Sequence, residues 1–168
     1  MKNNKINARS SKVTKASLLM TALTTSSFAM AENLSLLAGS DGSSKGSGTS
    51  YSAVRDGNLS SYWSPSSTSG ERISVKWGSA QTISQVVIRE LNGATTSWCL
   101  VDHSTGAELA SGTTLSSEEV ITIDPTSLKK LNLMLDSANV LPQIAEFEAY
   151  ANTTLPGPGP GPGPGPGP

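Results

Sequence analysis

Asp56, Gly57 and Asn58 are the densest concentration of hard-oxygen chemistry in the chain, inside the run Ala53-Val54-Arg55-Asp56-Gly57-Asn58-Leu59-Ser60-Ser61-Tyr62-Trp63. Asp and Asn side chains accept from nearby backbone N–H groups and so favour a tight turn, while Gly supplies the left-handed φ such a turn needs. Ser61 adds a hydroxyl three residues beyond Asn58, and Trp63 is a heavy apolar anchor. A loop of this kind can aim several oxygens at one point, as Ca²⁺ requires, although the spacing is not that of an EF-hand. Taken alone, the run reads first as an unmetallated Asx-turn capping a strand and second as a cation site.

The remaining reactive residues point away from catalysis. Asp102-His103-Ser104 contains the three residue types of a hydrolytic triad, but adjacent residues diverge in a strand or turn, so a turn is expected here. Cys99 lies in the apolar run Trp98 to Val101 and is expected to be buried and inert. Glu118 and Glu119 fall on opposite faces. Glu146 and Glu148 share a face and could form an acid/base pair, yet they sit in a closing strand. No phosphate loop or dinucleotide fingerprint is present. A single His excludes a multi-His metal site within one chain, and a single Cys excludes an internal disulfide.

These residues need elements to position them, and the two ends of the chain do not supply any. Hydrophobic residues make up 36% and charged residues 15% of the 168, both low for a globular chain. The cause is local: 13 of the 26 Gly and Pro residues fall in the last 13 positions. Residues 1–31 carry five basic residues and no acid. With the short apolar stretch around Leu18-Leu19-Met20 and the Ala29-Met30-Ala31 site, they read as a secretory signal peptide, too short to span a bilayer. Residues 154–168, mostly Pro156 and six Gly-Pro pairs, place Gly at every second position instead of collagen's every third. They read as an extended linker or disordered tail, and the expectation is that a C-terminal module follows such a spacer. Beyond the leader, seven basic residues face all 13 acidic ones, a net of −6, which argues against nucleic acid as the main partner.

Residues 32–153 form the folded body and are long enough for a core without staples. They show period two and no sustained helical period. Ile73, Val75 and Trp77 alternate with Ser74 and Lys76. Val86 and Ile88 alternate with Val87 and Arg89. Residues 98–101, 109–110, 120–123, 131–135 and 144–150 complete a set of short strands separated by Gly, Ser, Asn and Pro clusters, the pattern of an all-β sandwich. Residues 39–50 read as a long Ser/Gly loop.

At this point a resemblance emerges. The motif Ala-x-x-Asp-Gly-Asn-x-x-Ser-x-Trp (residues 53–63), residues 71–78, the stretch Gln81-Thr82-Ile83-Ser84-Gln85-Val86-Val87-Ile88-Arg89 and the closing Ala145-Glu146-Phe147-Glu148-Ala149-Tyr150 together resemble the discoidin, or coagulation factor 5/8 type C, domains. More closely they resemble bacterial galactose-binding-like carbohydrate-binding modules, including those attached to pectate lyases. The resemblance covers roughly residues 33–151, with the pieces in order. It implies a β-sandwich jelly roll of eight to nine strands and a structural Ca²⁺ site, with Na⁺ as the second choice. The ligands it implies are the Ala53 carbonyl, Asp56, Asn58, Ser61, the Ala145 carbonyl and Glu146. Two carboxylates with neutral oxygens suit a hard cation and not zinc.

The glycan-binding surface does not transfer by motif. Trp63, Trp77 and Trp98 are each expected in the core rather than on a sugar platform. If the ligand is a polyuronate such as pectin, cations should meet its carboxylates; the candidates are Lys45, Arg72 and Arg89, with Arg55 beside the metal loop. The resulting expectation is a secreted, non-catalytic carbohydrate-binding module, monomeric and without a membrane span. It would tether a pectate lyase-like enzyme to plant cell-wall polysaccharide. A stand-alone surface lectin or adhesin is the alternative.

Overall fold

The structure is a computed structural model and describes residues 31–151; the signal-peptide expectation and the Gly-Pro linker lie outside these residues, apart from Ala31. Six antiparallel strands are present among them: β1 Gly39–Gly42, β2 Ser69–Glu90, β3 Thr95–Asp102, β4 Glu108–Gly112, β5 Glu119–Ala138 and β6 Ile144–Tyr150. They are hydrogen-bonded in the order β1-β2-β5-β3-β4, and β6 pairs with β2. Short 3₁₀ turns at Leu34–Leu37 and Tyr51–Arg55 complete the described elements.

β2 and β5 are long because each serves two layers. The first half of β2 pairs β1 on one side and the second half of β5 on the other, from Ile73 opposite Leu133 to Lys76 opposite Lys130. The second half of β2 pairs β6 and the first half of β5 instead, with Gln85 opposite both Tyr150 and Thr122. Between the halves the register slips twice. The first slip, between Lys76 and Gln81, takes in the small residues Gly78-Ser79-Ala80; the second faces Asp124-Pro125 of β5. Bulges of this kind bend a strand, and they let Pro, which has no N–H to give, sit within it. They also change which residues face inward. Ile73 and Val75 are buried before the first slip, Ile83 between the two, and Val86 and Ile88 after the second, so the inward-facing set passes from odd to even positions at the second slip.

Apolar side chains of both layers meet in one core: Trp63, Ile73, Val75, Ile83, Ile88, Leu100, Leu131, Leu133, Leu135 and Phe147 all lie in it. The fold is thus an all-β jelly-roll sandwich. Trp63 and Trp98 are buried in the core, and Trp77 is half-buried against it, its indole N–H donating to the Leu34 carbonyl at 2.9 Å.

Three expectations need correction. Residues 39–42 are a strand and not loop. Gly-Ser-Asp-Gly has no strand pattern, and what holds it is backbone pairing to β2 together with ion pairs at Asp41. The strands read separately at 72–77 and 84–90, and at 120–123 and 131–135, are continuous in β2 and β5. Cys99 is only partly buried, because it lies on the face of β3 opposite Trp98 and Leu100. Its thiol is nonetheless pushed up, first by desolvation and then by the charges of Asp136 and Glu108.

Candidate functional site

The Asp56 loop is built from its start by side-chain caps. Ser50 accepts from the Ser52 N–H at 3.3 Å and opens the 3₁₀ turn Tyr51–Arg55, which ends at Asp56. Gly57 then takes φ of +71°, the left-handed region that a Cβ makes costly. The Asn58 N–H folds back onto Asp56 Oδ1 at 2.9 Å, and the Ser60 N–H onto Asn58 Oδ1 at 3.0 Å. The Ser61 hydroxyl stands 2.8 Å from Asp56 Oδ2 and 3.0 Å from the Asn58 carbonyl. Trp63 ends the loop through a two-way backbone bridge to Ile144, at 2.9 Å in each direction, which lays the loop along the start of β6.

That bridge brings the second half of the site into place. β6 is buried on both faces: Phe147 and Ala149 point to the core, while Glu146 lies beneath the loop and is 2% exposed. Glu146 Oε1 accepts from the Asn58 N–H at 3.1 Å, the same donor that serves Asp56. Glu146 Oε2 is buried and has no hydrogen-bond partner among the described residues. Burial pushes the Glu146 carboxyl up to about 7; the neighbouring charges of Asp56 and Glu148 add to the rise, and the Gly57 and Asn58 N–H groups oppose it. Two carboxylates therefore converge without, among the described residues, a cationic side chain paired to either. Arg55 turns away, its Nε donating to Ser40 Oγ at 3.1 Å. A shallow hollow of about 260 Å³ opens beside the loop, lined in part by Ser50, Ala53, Asp56 and Ser61.

The structure thus joins Asp56, Asn58, Ser61 and Glu146, four of the six implied ligands, by direct or shared hydrogen bonds. Ala53 is in the 3₁₀ turn before Asp56, and Ala145 precedes Glu146. A buried, unpartnered carboxylate oxygen is costly, and a set of carboxylate, amide, hydroxyl and carbonyl oxygens has the chemistry of a hard-cation site. The residues fit the implied ion.

The three cations considered for glycan binding are not brought together. Lys45 is exposed in the loop after β1. Arg72, in the first half of β2, donates from Nη1 to Asp41 at 2.7 Å. Arg89, at the far end of β2, lies between Glu118 and Glu148, its Nε 3.0 Å from Glu148 Oε1. Asp102, His103 and Ser104 form no triad. Asp102 accepts from the Ser104 N–H at 2.9 Å and the Thr105 hydroxyl at 2.6 Å, which makes the β3–β4 turn, and His103 Nδ1 stands 3.3 Å from the Asn132 amide. Two cations that the sequence did not single out as binding candidates, Lys76 and Lys130, also reach Asp41, at 3.1 and 2.9 Å. Their only sequence signal is the strand alternation that puts Lys76 on the outer face, and Lys130 needed the β2–β5 register to be found.

No protein-family model matches the chain, and no curated protein matches it at a significant level. Solved structures do share its fold. The family 32 carbohydrate-binding module of C. perfringens NanJ, solved with galactose, superposes with a TM-score of 0.63 at 20% identity, over 72% of this chain and 99% of that one. The CBM32 of AlyQ, solved with 4,5-unsaturated mannuronic acid, gives 0.59 at 24% identity, over 71% and 96%. SpGH29 gives 0.66 at 18% identity over 71% of this chain, which spans only 28% of that longer protein. At these identities the likeness is one of fold. Among the described residues no helix is long and apolar enough to cross a membrane.

Proposed function

We propose that this chain is a secreted, non-catalytic carbohydrate-binding module that holds an attached polysaccharide-degrading enzyme, of the pectate lyase kind, against plant cell-wall polymer. The observation that carries the reading is the fold match with the galactose-bound NanJ module, which extends over 99% of that module. That match supports reading the body of this chain as a binding module. The basic leader with its Ala-x-Ala site supports export, and the Gly-Pro spacer supports a tether, whose contribution would be effective concentration.

In the same reading Ca²⁺, or Na⁺ in its place, is held by Asp56, Asn58, Ser61 and Glu146 with the carbonyls of Ala53 and Ala145. When bound, the ion supplies counter-charge to two converging carboxylates and takes no part in chemistry on the glycan. The unpartnered Glu146 Oε2 supports this assignment. The residues themselves do the rest: Asn58 orients both carboxylates through one N–H, and the Trp63–Ile144 bridge fixes the loop against the closing strand.

Affinity electrophoresis through gels containing polygalacturonate, galactan, xylan or cellulose tests the binding role. Retardation in at least one gel is expected, and unchanged mobility in all four removes the proposal.

A further inference from the structure

Three cations surround one carboxylate on the outer face of the layer formed by β1, the first half of β2 and the second half of β5. Asp41 Oδ1 lies 2.7 Å from Arg72 Nη1 and 2.9 Å from Lys130 Nζ; Asp41 Oδ2 lies 3.1 Å from Lys76 Nζ. Register explains the gathering. Lys76 stands opposite Gly39 on one side and Lys130 on the other. A Cβ at Gly39 would come within 3.1 Å of Lys76 Cε, so the missing side chain lets the lysine stem lie over β1 toward Asp41.

The cluster is held from below. Ser74 is buried; its hydroxyl donates to Asn132 Oδ1 at 2.7 Å and also meets Arg72 Nη1. The Asn132 amide reaches the exposed His103 ring, and the His103 backbone N–H donates to the Lys130 carbonyl at 3.2 Å. Asp102, next to His103, spends both carboxylate oxygens on its own turn.

One carboxylate neutralises one cation, so the cluster keeps an excess of two positive charges on a body whose net charge is negative. Like charges directly opposite on paired strands, as at Lys76 and Lys130, destabilise a sheet. Yet Lys76 keeps half its side chain exposed, and among the described residues Arg72 is engaged through Nη1 alone, leaving the rest of its fork free. Preorganised, partly desolvated cations with spare donors are what recognise carboxylate or sulfate groups. The site is an open sheet face and not a pocket, which suits a polymer lying across the strands.

We infer that the outer sheet face carrying Arg72, Lys76 and Lys130 binds an anionic polysaccharide through its carboxylate or sulfate groups. The inference rests on the carbohydrate-binding reading and names the ligand class within it. Arg72 is the one member already suggested by the sequence; Lys45 and Arg89 lie outside the cluster.

The test is affinity electrophoresis of the full chain in gels containing polygalacturonate, dextran sulfate, neutral galactan or single-stranded DNA. Lys76→Gln and the double variant Lys76→Gln/Lys130→Gln are run beside the parent, with thermal melts as a check on folding. Removing one charge-assisted contact is expected to weaken polygalacturonate binding about tenfold; the double variant loses more, and added salt suppresses what remains. Because Lys76 is half exposed, its melt stays close to that of the parent. Retardation by dextran sulfate in place of polygalacturonate, equally weakened in Lys76→Gln, supports the site with sulfate as the charge it reads. Anionic-glycan binding that is unchanged in Lys76→Gln, binding to galactan alone, or equal retardation by DNA overturns the inference while the other gels report separately on glycan binding. Unchanged mobility in all three glycan gels overturns the inference, and unchanged mobility in xylan and cellulose gels as well overturns the carbohydrate-binding reading on which it rests.

Discussion

The proposed cation site between Asp56 and Glu146 predicts that the ion-free protein has a pH dependence opposite to that of a salt-bridged carboxylate. The Glu146 carboxyl sits at about 7 when folded against 4.5 ordinarily, because it is buried close to Asp56. Between these two values the folded chain keeps a proton that the unfolded chain has released. Stability of the ion-free protein therefore falls as pH rises through this window and levels off above it. Each pH unit across the window is worth about 1.4 kcal/mol, so the full span from 4.5 to about 7 amounts to roughly 3 kcal/mol. With an unfolding entropy of about 2 cal/mol/K per residue over ~120 residues, that is a fall in Tm on the order of 12 °C. A cation at about a hundred times its Kd returns about 2.7 kcal/mol, nearly all of the loss. Asp41 does not interfere. Partial burial alone would raise its carboxyl, but hydrogen bonds from Arg72, Lys130 and Lys76 outweigh that and hold it well below the usual range. Its contribution is therefore lost only at pH values below this window. Glu90, also raised by burial, adds a slope that Ca²⁺ does not relieve. Glu146→Gln separates the two. The assay is a series of thermal melts from about pH 5 to about pH 8, with EDTA and with millimolar Ca²⁺. The parent in EDTA should lose Tm as pH rises and recover it with Ca²⁺. Glu146→Gln should show a shallower slope in EDTA, a higher Tm than the parent at the alkaline end, and no Ca²⁺ response. A flat or rising EDTA profile for the parent, or a full Ca²⁺ shift in Glu146→Gln, would refute the reasoning.

Further outcomes follow from single positions. Phe147→Ala empties a fully buried site in the strand that carries Glu146 and should cost about 3–5 kcal/mol by calorimetry; a loss below about 1 kcal/mol would mean the core can close over it. Gly57→Ala forces a Cβ into the left-handed region at φ +71° and should cost about 1–2 kcal/mol in EDTA melts. The nearest neighbour to that Cβ, Leu36 Cδ2 at 3.6 Å, leaves room, so the loss would come from backbone strain and should be larger in the presence of Ca²⁺. Cys99, with its thiol pushed up by desolvation, should react with a disulfide reagent at neutral pH more slowly than free cysteine; a faster reaction would show an activated thiol.

How far sequence reaches depends on which interaction sets the structure. Where burial of alternating side chains decides, it reads well: Ile73 and Val75, Val86 and Ile88, and Leu131 to Leu135 are strand interiors facing one core. The Asp102 turn was equally legible, because Asp, Thr and Gly build it from local hydrogen bonds. Where distant pairing decides, it does not. β1 has no apolar residue to announce it, and its attachment through Asp41 depends on cations 31, 35 and 89 positions away. The Gly78-Ser79-Ala80 and Asp124-Pro125 stretches look like breaks and are bulges within long strands. The proximity of Asp56 and Glu146 came from resemblance alone, since nothing in the residues between them encodes the bridge from Trp63 to Ile144. The same gap hid the cationic face, which exists only once β1, β2 and β5 are in register.

Calorimetric titration of the intact chain with soluble plant cell-wall polysaccharides, followed by chromatography of each polymer after the titration, probes binding and chemistry in one sample. A saturable heat with at least one polymer, and chain lengths unchanged after prolonged incubation, is the outcome a binding module predicts. Shortened chains or unsaturated products would show an enzyme instead, and no saturable heat with any polymer would leave the glycan-binding role without support.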